Sequence, residues 1–179
     1  MPDFSLVRAT AENKLLIRLR TSWERQVDDV AKGWLDNQLD HALKIAADDP
    51  ADPRYGIYVL CDGDGDGRPR APYEAFVHVN HAWPKSAKDS TVRLVWGAVA
   101  PKYMAQTLAN VDRAKVLSSV IYSALALAAG EMPSKHVKIY LGGAVDKSFA
   151  HLFCSLLNPM VIDRMHARVR GTWLHLERN

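Results

Sequence analysis

The sequence predicts an α+β fold: helices flanking one mixed, mainly antiparallel central sheet, in the order β-α-α-β-β-β-α-β-α-β. Three observations carry this reading. Short alternating or β-branched runs recur along the chain, bounded by turn residues. Long apolar stripes at three- and four-residue spacing lie between groups of these runs. A helical stretch joins Val92–Val99 to Val137–Leu141, and such a crossover makes the two strands parallel neighbours.

Taken in order, Phe4–Arg8 alternates as a strand, and Thr10 followed by Glu12 reads as an N-cap with an acid in the first turn. The helix opened there carries Leu15, Leu16, Leu19, Trp23, Val27 and Val30 on one face, and Gly33 is expected to break or bend it. A second helix bears Trp34, Leu35, Leu39, Ala42, Leu43 and Ala46, and stops at the proline-containing run Asp48–Pro53. Tyr55–Cys61 and Ala75–Val79 are the next strands, expected to be antiparallel neighbours of each other. Between them, Asp62-Gly-Asp-Gly-Asp-Gly67 opens like a calcium loop. Such a loop needs a bidentate glutamate at its twelfth position, where this chain has Tyr73, so a hairpin tip is expected and no metal is assigned.

Glu74, Phe76, His78 and Asn80 share one face of the Ala75–Val79 strand, opposite Ala75, Val77 and Val79. One reading is a solvated polar side. The other encloses that face, and then a carboxylate and an imidazole stand in one line, suited to deprotonating an amine. Glu74 and His78 are therefore the candidate catalytic residues. His78 and His81, three apart on a strand, point to opposite faces, which argues against a metal pair.

Gly97, inside the strand Thr91–Val99, marks a bulge or a close backbone approach. The next helix carries Leu117, Val120, Ile121, Ala124, Leu125, Leu127 and Ala128, and should be the most buried; Gly130 caps it and Pro133 stops it. His136–Leu141 is a short strand. A helix over Asp146–Leu157 bears Phe149, Leu152, Phe153, Leu156 and Leu157. Met160–Leu176 reads as strand pairs that turn at Arg170-Gly-Thr.

Composition bounds the function classes. The 179 residues suit one domain over 1–179, and 48% hydrophobic with 24% charged residues describes a globular chain. The net charge of +3 is spread along the sequence without a Lys/Arg cluster, which argues against a nucleic-acid partner. Two cysteines without CxxC spacing point to reduced thiols. No apolar run reaches the roughly 20 residues of a membrane span, and Met1-Pro-Asp-Phe lacks a signal-peptide pattern. A cytoplasmic protein without a membrane partner is the expectation. Five tryptophans suit either a core or a homodimer interface.

Two segments resemble signatures of the GNAT family, the acetyl-CoA-dependent N-acetyltransferases. Val99-Ala-Pro101-Lys-Tyr103 is similar to V-x-P-x-Y, and Asp146-Lys-Ser-Phe149-Ala-His-Leu152-Phe153-Cys-Ser-Leu156 to N-x-x-A-x-x-L-Y-x-x-L. Arg8-Ala-Thr10-Ala-Glu12 resembles the family's R-x-A-T-x-x-D opening. The resemblance implies acyl transfer to a small-molecule or protein amine, with acyl-CoA inserted where the Thr91–Val99 strand splays from its neighbour. It also places Val99, Met104, Ala105, Gln106, Thr107, Leu108, Ala109 and Asp146 at the cofactor. Three positions depart from the pattern. Met104 replaces a polar or basic residue and Thr107 a glycine of the Q/R-x-x-G-x-G/A cradle, and Phe153 replaces a tyrosine that protonates the CoA thiolate. A start of the third helix at Asn110 or Asp112 is the alternative to this alignment. Weak acetyl-CoA binding or its loss follows, so the two readings are a divergent N-acyltransferase and a catalytically degenerate GNAT-like binding or assembly module.

Overall fold

A computed structural model describes residues 4–48, 52, 54–63, 69–104, 110–158 and 165–178. The expected calcium-like loop tip at 64–68 and the cradle positions 105–109 lie outside them. The chain forms β1 (Phe4–Arg8), α1 (Leu15–Glu24), α2 (Asp29–Asp48), β2 (Tyr55–Gly63), β3 (Pro69–Ala82) and β4 (Thr91–Val99). A 3-10 turn (Pro101–Tyr103), α3 (Asn110–Ala129), β5 (His136–Tyr140), α4 (Ala144–Leu157), β6 (Met165–Arg170) and β7 (Trp173–Arg178) follow. The sheet has seven strands in the order β1-β2-β3-β4-β5-β7-β6, and β4 and β5 are parallel as the crossover argument requires.

The chain divides into two compact units, Met1–His78 with Gly97–Ser123, and Val79–Trp96 with Ala124–Asn179. In the first, β1 pairs antiparallel with β2, from Phe4 against Asp62 to Arg8 against Tyr58. Leu15, Leu16, Leu19 and Trp23 bury the inner stripe of α1, and Leu35, Leu39 and Ala42 that of α2. The Trp23 indole donates to the Tyr73 carbonyl over 2.8 Å and its ring meets Phe76 at 5.7 Å between centroids. That pair of contacts fixes α1 on β3, one residue from Glu74.

Two helix boundaries differ from the sequence reading. Thr10 is not the N-cap of α1. Thr10 and Asn13 bond reciprocally, backbone N–H to side-chain oxygen, which winds residues 10–13 into a turn and leaves Lys14 left-handed before the helix opens at Leu15. Gly33 does not break a helix either. The break falls at 25–28, where the Asp28 carboxylate accepts from the Ala31 N–H over 2.9 Å and starts a new helix that runs through Gly33.

In the second unit, β5 pairs with β7 and β7 with β6, both antiparallel, and Arg170 opposite Trp173 closes a two-residue turn. Gly171 holds φ +60° there, a conformation glycine adopts without steric penalty. These are the paired strands expected to turn at Arg170-Gly-Thr, so the last strand of the expected order is two. Val92, Leu94, Val137, Ala167, Leu174 and Leu176 make the buried face of these strands. On α3 the buried positions include Val116, Val120, Ile121, Ala124, Leu127 and Ala128, whereas Leu117 is only half-buried. α4 starts two residues earlier than expected and buries Ala150, Phe153 and Leu157, leaving Leu152 and Leu156 exposed. No helix among the described residues is long and apolar enough to cross a membrane.

Candidate active site

The first unit gathers the candidate chemistry around β3. From Tyr73 to Val77 both faces of this strand are buried, so the solvated-side reading fails for Glu74, which is 3% exposed. Its two carboxylate oxygens are both engaged. Lys102 Nζ lies 2.8 Å from Oε1, and the Tyr103 hydroxyl donates to Oε2 over 2.6 Å. Both partners come from the 3-10 turn after β4, which Pro101 initiates and which is tied back to β3 by the Ala100 N–H bonding the Glu74 carbonyl at 2.8 Å. Burial, then the adjoining Glu74 carboxylate, raises the Tyr103 phenol well above its ordinary value and keeps it protonated. The sequence reading singled out Glu74 and Tyr103 separately and missed Lys102. A buried acid on a strand, with Lys-Tyr just past the end of a neighbouring strand, is the signal that joins all three.

His78 shares the Glu74 face, two positions beyond Phe76, and the Tyr55 ring meets it edge-on at 6.4 Å between centroids. Burial first, and then the nearby His41, lowers the pKa of His78, so the imidazole is neutral near pH 7. Among the described residues its Nε2 is buried without a hydrogen-bond partner. With the proton on Nδ1, that nitrogen presents a free lone pair. His81, on the other face of β3 as expected, bonds Ser134 Oγ through Nε2 at 3.0 Å. No group of metal-ligating side chains occurs among the described residues.

Gly97 is a close-approach glycine. A Cβ there would stand 2.4 Å from the Phe76 carbonyl oxygen and 3.0 Å from Val77 Cγ1. The ladder between β4 and β5 covers Thr91–Leu94 against His136–Ile139, while β4 itself continues to Val99. The ladder thus ends at Leu94, before the end of the strand. Val99 is half-buried at the end of β4, and Met104 is 52% exposed just after the 3-10 turn. α3 spans Asn110–Ala129, with Asp112 in its first turn. In the second unit Asp146 occupies the first turn of α4, and Phe153 is buried beside Phe149, their ring centroids 6.3 Å apart.

The parallel β4–β5 pair, its ladder ending at Leu94, lies in a mostly antiparallel sheet with the predicted order of helices. The fold is GNAT-like. Solved structures similar to the chain include a Salmonella typhimurium acetyltransferase described as modifying the N-terminal serine of a ribosomal protein (8% identity, 97% of this chain, 93% of that one, TM-score 0.47). Another is the spermidine/spermine N-acetyltransferase SpeG of Vibrio cholerae (9% identity, 97% and 89% covered, TM-score 0.48). A third is a GNAT-family acetyltransferase of Desulfovibrio desulfuricans (13% identity, 97% and 95% covered, TM-score 0.40). No family model matches the chain, and no curated protein matches it.

Proposed function

We propose that the protein is a divergent acyl-CoA-dependent N-acyltransferase with His78 as the general base. The observation that carries this reading is the buried, unpartnered Nε2 of a neutral imidazole on β3, the strand that neighbours β4. Acetyl-CoA, when bound, would supply a thioester whose C–S bond breaks, CoA leaving as a thiolate that solvent protonates, as an amine forms the new N–C bond. His78 takes the proton that the amine nitrogen loses. Glu74 is the second candidate base from the sequence; with both oxygens engaged, it acts here by holding Lys102 and Tyr103 at the end of β4.

The residues present suit one part of acetyl-CoA better than another. The end of β4 at Val99, beyond the residues laddered to β5, is the proposed contact of a pantetheine arm. Met104 through Ala109 remain the proposed contacts of the nucleotide end. That end is poorly provided for. Met104 has neither charge nor donor, and Asp112 places a carboxylate in the first turn of α3, where an anion would be drawn. A helix dipole contributes about 0.3–1 kcal/mol to a surface anion, less than a tenfold gain.

Titration calorimetry with acetyl-CoA tests the reading, with a Kd of about 0.1 mM or weaker expected. Saturable binding together with acetylation of a polyamine or peptide amine supports the transferase. The buried Phe153, which has no proton to give, favours a binding module as the second reading, and absence of any heat or thermal shift at millimolar ligand would favour that one instead.

A further inference from the structure

The outer face formed by Thr91–Leu94 of β4 with β5, β7 and β6 lies in the second unit and has no role in the acyl-transfer reading. Strand register sets Arg93, Lys138, His175 and Arg168 directly opposite one another in a single row across four strands. Arg93 and Lys138 are like charges directly opposite each other, a placement that is destabilising, so folding alone does not favour it. A second row holds Tyr140, Trp173 and Arg170, with the two rings edge-on at 5.5 Å between centroids. Among the described residues the face carries one carboxylate, Glu177, already shared between Lys135, His136 and Arg168 at 4.0, 3.8 and 3.5 Å. Four fixed cations therefore stand against one acid.

At the β4 border of the face, Trp83 is 57% exposed and holds φ +50°, an unusual backbone state for a bulky side chain. The Arg93 guanidinium lies 4.5 Å from its ring centroid, covering one side of the indole. Tyr140 is 45% exposed. Flat aromatic surfaces and fixed cations alternate on one pleated sheet.

We propose that this face is a docking surface for a single-stranded polynucleotide. Three features select that partner. Unanswered cations match a phosphate backbone. Exposed rings among them offer stacking to unpaired bases, which neither a folded duplex nor an acidic peptide can use. Four strands at about 4.8 Å spacing give a width of about 14 Å, enough for two or three splayed bases. A second copy of the chain is disfavoured, because apposing two such faces opposes like charges. The dispersal of Lys and Arg in the sequence is consistent with this. Alternation places them two apart on strands that are distant in sequence, and only the sheet collects them.

Fluorescence anisotropy with a labelled oligo-uridine of about 12 nucleotides tests the proposal on the full chain. The expected Kd is about 10⁻⁴–10⁻⁶ M near physiological salt, with a log–log salt slope of about −2 to −3 for three or four phosphates. The double variant Lys138→Glu/Arg170→Glu should weaken binding more than about tenfold, and Tyr140→Ala by about tenfold with an unchanged salt slope. Lys138→Gln and circular dichroism guard against a folding defect. Three results would each overturn the proposal: no anisotropy change at about 0.1 mM protein, poly-glutamate of matched charge binding as tightly, or duplex DNA binding more tightly than the single strand.

Discussion

The Tyr103 hydroxyl donates to Glu74 Oε2 over 2.6 Å, with Glu74 97% removed from solvent and Lys102 holding the other oxygen. A buried carboxylate is tolerated only when paired and hydrogen-bonded. Here the pairing joins the middle of β3 to the turn that follows β4, so the exit from β4 is fixed by chemistry as well as by backbone. The V-x-P-x-Y segment thereby acquires a physical role in this chain: Pro101 starts the turn and Tyr103 anchors it.

Tyr103→Phe removes one hydrogen bond to that charge and leaves its volume filled. The expected loss is about 1.5–3 kcal/mol, read as a lower urea midpoint with an unchanged slope. Lys102→Met should lose at least as much, because it leaves the buried Glu74 carboxylate without its cation. A Tyr103→Phe midpoint equal to that of the parent would show that the bond contributes nothing.

The fold was largely legible because its signals are periodic. The alternation of β2, β3 and β4 and the apolar stripes of α1, α2 and α3 follow from burial on one face, and the parallel β4–β5 pair from a helix lying between them. The helix starts were less legible, since they depend on local side-chain competition. Thr10 pairs with Asn13 instead of capping α1, and Asp28, three residues before Ala31, begins the second helix. The site was legible residue by residue and not as a cluster. Glu74 and His78 stood out on their strand, but Lys102 meets Glu74 across a sequence separation of 28, which no local pattern reports. The basic sheet face was hidden for the same reason.

Two glycines give opposite expectations. Gly97→Ala drives a methyl to 2.4 Å from the Phe76 carbonyl, backbone that cannot swing aside, so a loss of about 1–3 kcal/mol is expected from overpacking. Gly33→Ala meets nothing within 4 Å in the interior of α2 and should stabilise by about 0.5–1 kcal/mol. Thermal melts of both variants decide this, and the same sign for the two would contradict the packing described.

His78, His81 and His175 all have their pKa values lowered, burial being the leading cause; for His175, Lys138 and then Arg168, Arg170 and His136 add to it. A folded value below the unfolded one means that the unfolded chain binds more protons as the pH falls. Stability should therefore be full above about pH 6.5 and decline as the pH drops through the folded values. Melting temperatures between about pH 7.5 and pH 5 test the trend, and His175→Gln should flatten it. A melting temperature that rises on acidification would contradict the direction of all three shifts.

His78 gives the sharpest kinetic expectation. Its lowered pKa makes the neutral base available at lower pH than an ordinary imidazole, so the acid limb of kcat/KM should bend below about pH 6.5. A positioned general base contributes about 10²–10⁴ in rate. His78→Ala should therefore lower kcat by about that factor while leaving acetyl-CoA affinity nearly unchanged, since the amine proton and not the thioester is what the imidazole handles. His78→Gln keeps much of the volume and the edge-on neighbour Tyr55 but accepts no proton at neutral pH, so it should match the alanine variant in rate and the parent in thermal stability. If both variants turn over within twofold of the parent, Nε2 is not the base and its lack of a partner has no catalytic meaning. If instead His78→Gln alone recovers activity, the side chain serves packing and a different group takes the proton.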